Sequence, residues 1–292
     1  MKKSIGIMTD SYSGMKKEEA KQLGLWVLSM PFFVNGESYY EEETIVREEF
    51  YEILREDVTV STSQPSPEAV MNMWNQMLEE YEEIIYIPLT SGLSGSCQTA
   101  MAMAMEEEYE GKVYVVDNGR ISVPLYRSIL DAFELVEEGF SAKEIKNILE
   151  ENRANMSVYI GVDTLEYLKK GGRITASTAM IGNVLNIKPV LKLDVGLLET
   201  HKKCRGNNAM KKEMIKAMGE DLETRFKSWH DNGEVYLMAA SSASKEDTAK
   251  WVEQIREAFP GMEVVCHDLP MGVACHTGGG ALGIGCSCRP KR

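Results

Sequence analysis

The sequence predicts an α/β protein of two domains. The first domain carries a mostly parallel sheet flanked by helices, and the second is a mixed α/β arrangement. Three observations carry that expectation. Short apolar runs alternate with amphipathic segments through the first half, at the close spacing of β–α–β units. The second half changes character and includes a hairpin pattern around Asp194-Val195-Gly196. The length, 292 residues, also exceeds the roughly 100–200 usual for one domain. A boundary near residue 155 divides the chain into 1–155 and 156–292.

The elements follow in order. Ser4–Met8 is apolar and stops at Thr9-Asp10-Ser11, so it reads as a strand feeding a polar loop. Leu25–Val34 reads as one longer strand, followed by the hairpin dipeptide Asn35-Gly36. Thr44 is placed to cap a helix through Arg55. Ser66-Pro67 sets a capping hydroxyl before a proline suited to the first helical turn, with the helix running to about Glu80. Glu83–Leu89 is a buried strand, Thr90–Ser96 a loop and Cys97–Tyr109 a helix. Val113–Val116 is the next strand and Val123–Glu138 the next helix, and Ser141-Ala142-Lys143-Glu144 forms a capping box. Beyond the boundary, Val158–Val162 is a strand, and Thr164 caps a short helix closed by Gly171-Gly172. Pro189–Leu193 and Leu197–Lys202 make the hairpin, and Asn208–Trp229 reads as one long helix. Val235–Ala239, Lys245–Phe259 and Glu263–His267 read as strand, helix and strand.

Composition narrows the partners. Hydrophobic residues make up 43% and charged residues 26%, which excludes disordered, collagen-like and coiled-coil classes. The net charge of −13 repels phosphate backbones, so no nucleic-acid partner is expected. The start of the chain lacks the apolar stretch of a signal peptide, and no stretch matches a membrane span. A cytoplasmic location is the expectation, with the six cysteines as thiols.

Several constellations are suited to chemistry. Ser61-Thr62-Ser63-Gln64-Pro65-Ser66 puts three hydroxyls and an amide just before a helix start, where backbone N–H groups lack partners and carry partial positive charge. That suits a carboxylate or phosphate oxygen, and plain capping competes with it. Thr90-Ser91-Gly92-Leu93-Ser94-Gly95-Ser96 is a second hydroxyl-rich strand-to-helix connection. Open α/β sheets bind ligands at the carboxyl ends of their strands, so the two connections can converge on one crevice. Gly92-Leu93-Ser94-Gly95-Ser96 misses the nucleophile elbow by one position, which leaves a Ser94-dependent esterase as the alternative. Gly171-Gly172-Arg173 ends a helix with a guanidinium, a planar fork suited to an anion. His276 opens the glycine-rich stretch to Gly285, which matches Gly-x-Gly-x-x-Gly formally but has no βαβ unit after it. Cys266-His267, Cys275-His276 and Cys286-x-Cys288 lack paired metal-knuckle spacing, so no metal is expected. Met73/Met77 and Met101/Met105 lie on single helix faces. Core packing is the favoured reading there, and a methionine-lined tunnel is the sharper one.

Together these motifs resemble the DegV family of lipid-binding proteins. The resemblance rests on Thr9-Asp10-Ser11, Thr62-Ser63-Gln64-Pro65-Ser66, Ser91-Gly92-Leu93-Ser94-Gly95, Gly171-Gly172-Arg173-Ile174, Ile187-Lys188-Pro189 and the His276–Gly285 tail, in the family's order over nearly the whole chain. It implies a carrier, not an enzyme, that holds one long-chain fatty acid in a buried tunnel and needs no cofactor. The first domain would hold the head group and the second would close the tunnel. By motif position the carboxylate falls to Thr62 and Ser94, with Ser63 and Ser91 beside them. Arg173, His276 and, near the hairpin, Arg205 complete the implied set. The resemblance also implies a partner, a fatty acid kinase related to dihydroxyacetone kinases. Ser96-Cys97, Asn118, Pro124 and Gly278-Gly279-Gly280 depart from the family pattern and bear on chain length and the kinase contact. The physical logic agrees. Burying roughly fourteen methylenes at about 0.8 kcal/mol each is a large gross driving force, and the carboxylate must then find partners inside.

Overall fold

The computed structural model describes residues 2–56, 58–174, 187–193 and 198–292. The first part of the chain gives β1 (Lys3–Asp10), α1 (Lys17–Leu23), β2 (Trp26–Leu28), β3 (Pro31–Val34), β4 (Glu37–Tyr40), α2 (Arg47–Ile53) and β5 (Val60–Thr62). It continues with α3 (Pro67–Glu80), β6 (Tyr81–Ile87), α4 (Ser96–Met103), β7 (Val113–Val115), α5 (Ser122–Glu137) and α6 (Ala142–Glu151). The second part gives β8 (Met156–Gly161), α7 (Glu166–Gly171), β9 (Ile187–Leu193), β10 (Leu198–Arg205), α8 (Asn207–Glu223) and α9 (Lys227–Asp231). It ends with β11 (Val235–Ser241), α10 (Lys245–Ala258), β12 (Val264–Asp268), α11 (Met271–Thr277) and β13 (Leu282–Cys288).

These strands form three sheets. A four-stranded sheet has the order β2-β1-β6-β7, and every pairing in it is parallel. Its strands are apolar on both faces. Ile7, Ile85 and Ile87 pack toward α5 and α6, while Met8, Ile84 and Tyr86 pack toward α3 and α4. That two-sided burial is what a parallel sheet covered by helices requires. A six-stranded sheet has the order β10-β9-β8-β13-β11-β12 and is antiparallel except between β11 and β12. A small antiparallel sheet, β4-β3-β5, carries Asn35-Gly36 at its hairpin turn, with φ of 51° and 87° as a primed turn requires. Met271, Ala274 and Cys275 of α11 pack onto this small sheet, so the end of the chain folds back onto its beginning.

Some elements differ from the sequence reading. Leu25–Val34 is two strands in two sheets, parted at Ser29-Met30, where the Met30 N–H donates to Ser11 Oγ (3.1 Å) just before Pro31. Thr44 caps no helix. Its hydroxyl accepts the Tyr40 N–H (2.8 Å), and α2 starts at Arg47. The helix from Cys97 ends at Met103, and the long helix from Asn207 breaks at Thr224, where φ and ψ are −120° and −83°. The hairpin partners β9 and β10 pair as the pattern requires, while its turn, Asp194-Val195-Gly196, lies outside the described residues. The His276–Gly285 tail ends in β13, a central strand of the larger sheet, where no strand was expected. The Ser66 cap and the Ser141/Glu144 capping box form as read.

Two buried polar groups fix the frame. The Asp10 carboxylate accepts the N–H of Tyr12 (3.0 Å) and of Leu89 (2.8 Å), which ties the loops after β1 and β6 side by side. The buried Arg120 joins the two large sheets. Its guanidinium donates to Ser128 Oγ (2.8 Å), to the Asn152 carbonyl (2.9 Å) and to Ser287 Oγ of β13 (2.7 Å).

Burial pushes the Asp10 carboxyl up to about 7, against the two N–H bonds that favour its charge. Between about pH 4 and 7 the folded state therefore binds a proton that the unfolded chain has released. The Asp10 contribution to stability falls as pH rises through that window. Urea denaturation across it should show a wild-type-minus-Asp10→Asn difference that declines with pH. A difference that stays flat contradicts this account of Asp10.

Candidate functional site

The site forms where five segments meet. The end of β5 brings Thr62, Ser63 and Gln64, with the Ser63 N–H held by the Pro31 carbonyl (3.3 Å). The loop after β6 brings Leu89, Leu93 and Ser94. Its course is set by Asp10 and by the Thr90 N–H, which donates to the Arg120 carbonyl (2.9 Å). The turn after α7 brings Arg173, through Gly172 at φ +66°. The last turn of α11 brings His276 and Thr277. Tyr12, from the turn after β1, completes the polar wall. The cavity has a volume of about 70 Å³ and is partly open to solvent.

Thr62 Oγ1 and His276 Nε2 lie 2.8 Å apart. Nδ1 of the same ring is buried without a hydrogen-bond partner and faces Gly171, whose absent Cβ would lie 2.1 Å away. A proton on Nδ1 would have no acceptor there, so the neutral ring carries its proton on Nε2 and donates it to Thr62. The Thr62 hydroxyl lines the cavity with Tyr12 beside it. Burial, and secondly the nearby Arg173, push the His276 imidazolium down to about 4, so the ring is neutral at ordinary pH. Tyr12 is buried against Gly272, whose Cβ would lie 2.5 Å from the phenol oxygen. Burial also raises the phenol, which stays protonated and interacts with Thr62 and Arg173.

A second cavity continues from the first. The two share Leu93, Ile121, Leu198, Val273 and Thr277, and the second runs on between the start of α5 and the face of the six-stranded sheet that carries Val158, Ile160, Leu193 and Ala240. Its volume is also about 70 Å³, and it too is partly open. Among the described residues no carboxylate lines either cavity, and those of the second form an almost wholly apolar wall. Hydroxyl donors, a guanidinium and a neutral imidazole at one end, with aliphatic walls at the other, suit a molecule with an anionic head and an apolar tail.

Of the residues named from sequence, the structure gathers Thr62, Ser63, Ser94, Arg173 and His276 around one cavity. Two are corrected. Ser91 is turned away, because its hydroxyl donates to Asp117 Oδ2 (2.5 Å) and so anchors the loop. Arg205 stands exposed at the end of β10 opposite Leu198, and at about 3.3 Å per residue that is roughly 20 Å away along the strand. Sequence reasoning missed Tyr12, one residue beyond Thr9-Asp10-Ser11, and Thr277, next to His276. Among the described residues no methionine lines either cavity. Met77 is a core residue beside Trp74, and Met101 and Met105 are exposed, so the methionine tunnel is set aside. Among the described residues no three His, Cys, Asp or Glu side chains converge as metal ligands, and no helix is long and apolar enough to cross a membrane.

Fold and cavity define a two-part α/β protein with an internal site that is polar at one end and apolar at the other. A profile of the DegV family, described as "uncharacterised protein, DegV family", matches residues 4–288, and the chain belongs to that family. A DegV domain-containing protein of Staphylococcus aureus (strain N315) is 32% identical over 282 residues, covering 95% of this chain and 96% of its own. A solved structure of a DegV family protein from Thermus thermophilus, described by its fatty acid binding, is 30% identical with a TM-score of 0.87, covering 98% of this chain and 99% of its own. DegV from Bacillus subtilis, described as a fatty acid binding protein, is 26% identical with a TM-score of 0.84 over 98% of this chain and 99% of its own.

Gly171→Ala should force the imidazole out of its place, because the new methyl would collide with Nδ1. Histidine titration by NMR should find the His276 value near 4 in the wild type and shifted up toward the free value of about 6.5 in the variant. An unchanged low value would contradict the packing described.

Proposed function

We propose that this protein binds one long-chain fatty acid across the joined cavities and acts as its carrier. The carboxylate would take hydrogen bonds from the hydroxyls of Thr62 and Ser94, with Ser63 and Tyr12 alongside and the Arg173 guanidinium for charge. The neutral His276 would orient the Thr62 hydroxyl, and the acyl chain would lie in the apolar continuation. The observation that carries this reading is the union of a cavity lined by hydroxyls and a guanidinium with an apolar one through five shared residues. The fatty acid binding described for the Thermus thermophilus and Bacillus subtilis relatives supports it. Presentation of the acid to a separate fatty acid kinase of the dihydroxyacetone-kinase type rests on the family resemblance alone.

The esterase alternative finds little support. Ser94 Oγ accepts the Ser96 N–H (3.2 Å), and His276 Nε2 is engaged by Thr62, not by Ser94. A fluorophosphonate probe should leave Ser94 unlabelled, and stoichiometric labelling with ester turnover would reverse that judgement.

Mass spectrometry of an organic extract of the purified protein should show a long-chain acid. Thr62→Val and Ser94→Ala each remove one donor and keep the shape, so each should weaken binding by about 1–3 kcal/mol, roughly 5- to 150-fold. Calorimetry that finds both variants binding as tightly as the wild type would sink the assignment of the head-group site.

A further inference from the structure

The apolar cavity exists because one strand is missing side chains. Along β13 the residues alternate strictly: Leu282, Ile284, Cys286 and Cys288 belong to the core under α8 and α10. The other face of β13 carries Gly283, Gly285 and Ser287, with Ala281 just before them, and it turns toward the first half of the chain. The register puts Gly283 in a row with Leu191, Ile160 and Ala240, and Gly285 in a row with Leu193, Val158 and Met238.

The two glycines are not equivalent. A Cβ on Gly285 would meet the Ser157 carbonyl at 3.3 Å, Val158 Cγ2 at 3.4 Å and, from the opposite wall, Val123 Cγ2 at 3.7 Å. The space closes there. A Cβ on Gly283 would meet only the flanking strands, the Ala240 and Tyr159 carbonyls at 3.4 and 3.7 Å and Ala240 Cβ at 4.0 Å. Among the described residues no atom of the opposite wall lies within 4 Å of it, and its backbone is ordinary extended strand, so a side chain there would project into the cavity. Gly283, Ile160 and Ala240 line only the second cavity, beyond the five residues shared with the head-group end.

We propose that Gly283 is the residue that sets how long an acyl chain this protein admits, with Val123 and Gly285 closing the space beside it. The inference rests on the fatty-acid reading and adds to it a position that discriminates by chain length. A side chain at position 283 fills the floor that a long tail needs and leaves the head-group end untouched. Gly283→Leu should therefore exclude long acids and keep short ones, and Gly283→Ala should do the same in smaller degree.

The test titrates hexadecanoate and decanoate into the wild type and both variants by calorimetry, with circular dichroism checking the fold. For Gly283→Leu the affinity for hexadecanoate should drop roughly tenfold or more while decanoate stays within about threefold. If that variant does not fold, Gly283→Ala still decides the matter, through a roughly threefold loss confined to hexadecanoate. Variants that lose both acids equally, or neither, overturn the assignment to Gly283 while a binding wild type leaves the fatty-acid reading standing. A wild type that takes up neither acid overturns both.

Discussion

A strand in the middle of a sheet has two faces to fill, and β13 fills only one. Its large residues complete the core under α8 and α10, with Ile284 and Cys286 fully buried. Its small residues face the other half of the molecule. Protein interiors ordinarily pack to crystal-like density, so a bare patch between two layers must be filled by the opposite wall or left open. Here the wall cannot close over it everywhere. Arg120, reaching from the loop before α5 to Ser287, and Asn152, donating to the Cys288 carbonyl (2.9 Å), hold the two halves at a fixed separation. The hollow is thus a consequence of sequence alternation plus a rigid spacer.

The polar end solves a different problem. A carboxylate removed from water needs donors already in place, or its burial cancels the gain from the tail. Those donors are set by groups that do not touch the cavity. Asp10 aligns the loops after β1 and β6, Asp117 pins Ser91, and Gly171 and Gly272 let the rings of His276 and Tyr12 approach. The neutral state of His276 belongs to the same arrangement, since an imidazolium beside Arg173 would be costly without an anion between them.

Much of this was legible in the sequence, for local reasons. Ser66-Pro67, Ser141 with Glu144 and Asn35-Gly36 are short-range signals whose geometry depends on few neighbours, and they form as read. The two hydroxyl-rich loops do meet at one crevice, although only the loop after β6 leaves the parallel sheet and the other follows β5 of the small antiparallel sheet. The failures have tertiary causes. Leu25–Val34 is apolar throughout, and nothing local reveals that Met30 turns to Ser11 and hands the chain to another sheet. Ser91 and Ser94 look alike in sequence, and only the approach of Asp117 separates them. The strand β13 was missed, because its glycines read as a ligand loop while Leu282, Ile284, Cys286 and Cys288 alternate into the core. Those same glycines, as part of a strand, shape the apolar cavity.

The central claim is that a fatty acid lies with its head at Thr62 and Ser94 and its tail over the bare face of β13. A crystal structure with a hexadecanoate brominated at its terminal carbon tests it directly. The account predicts an anomalous peak between Gly283 and Val123, with carboxylate density against the two hydroxyls. Bromine at the Thr62 end, or anomalous density outside the cavity between the two halves, would contradict it.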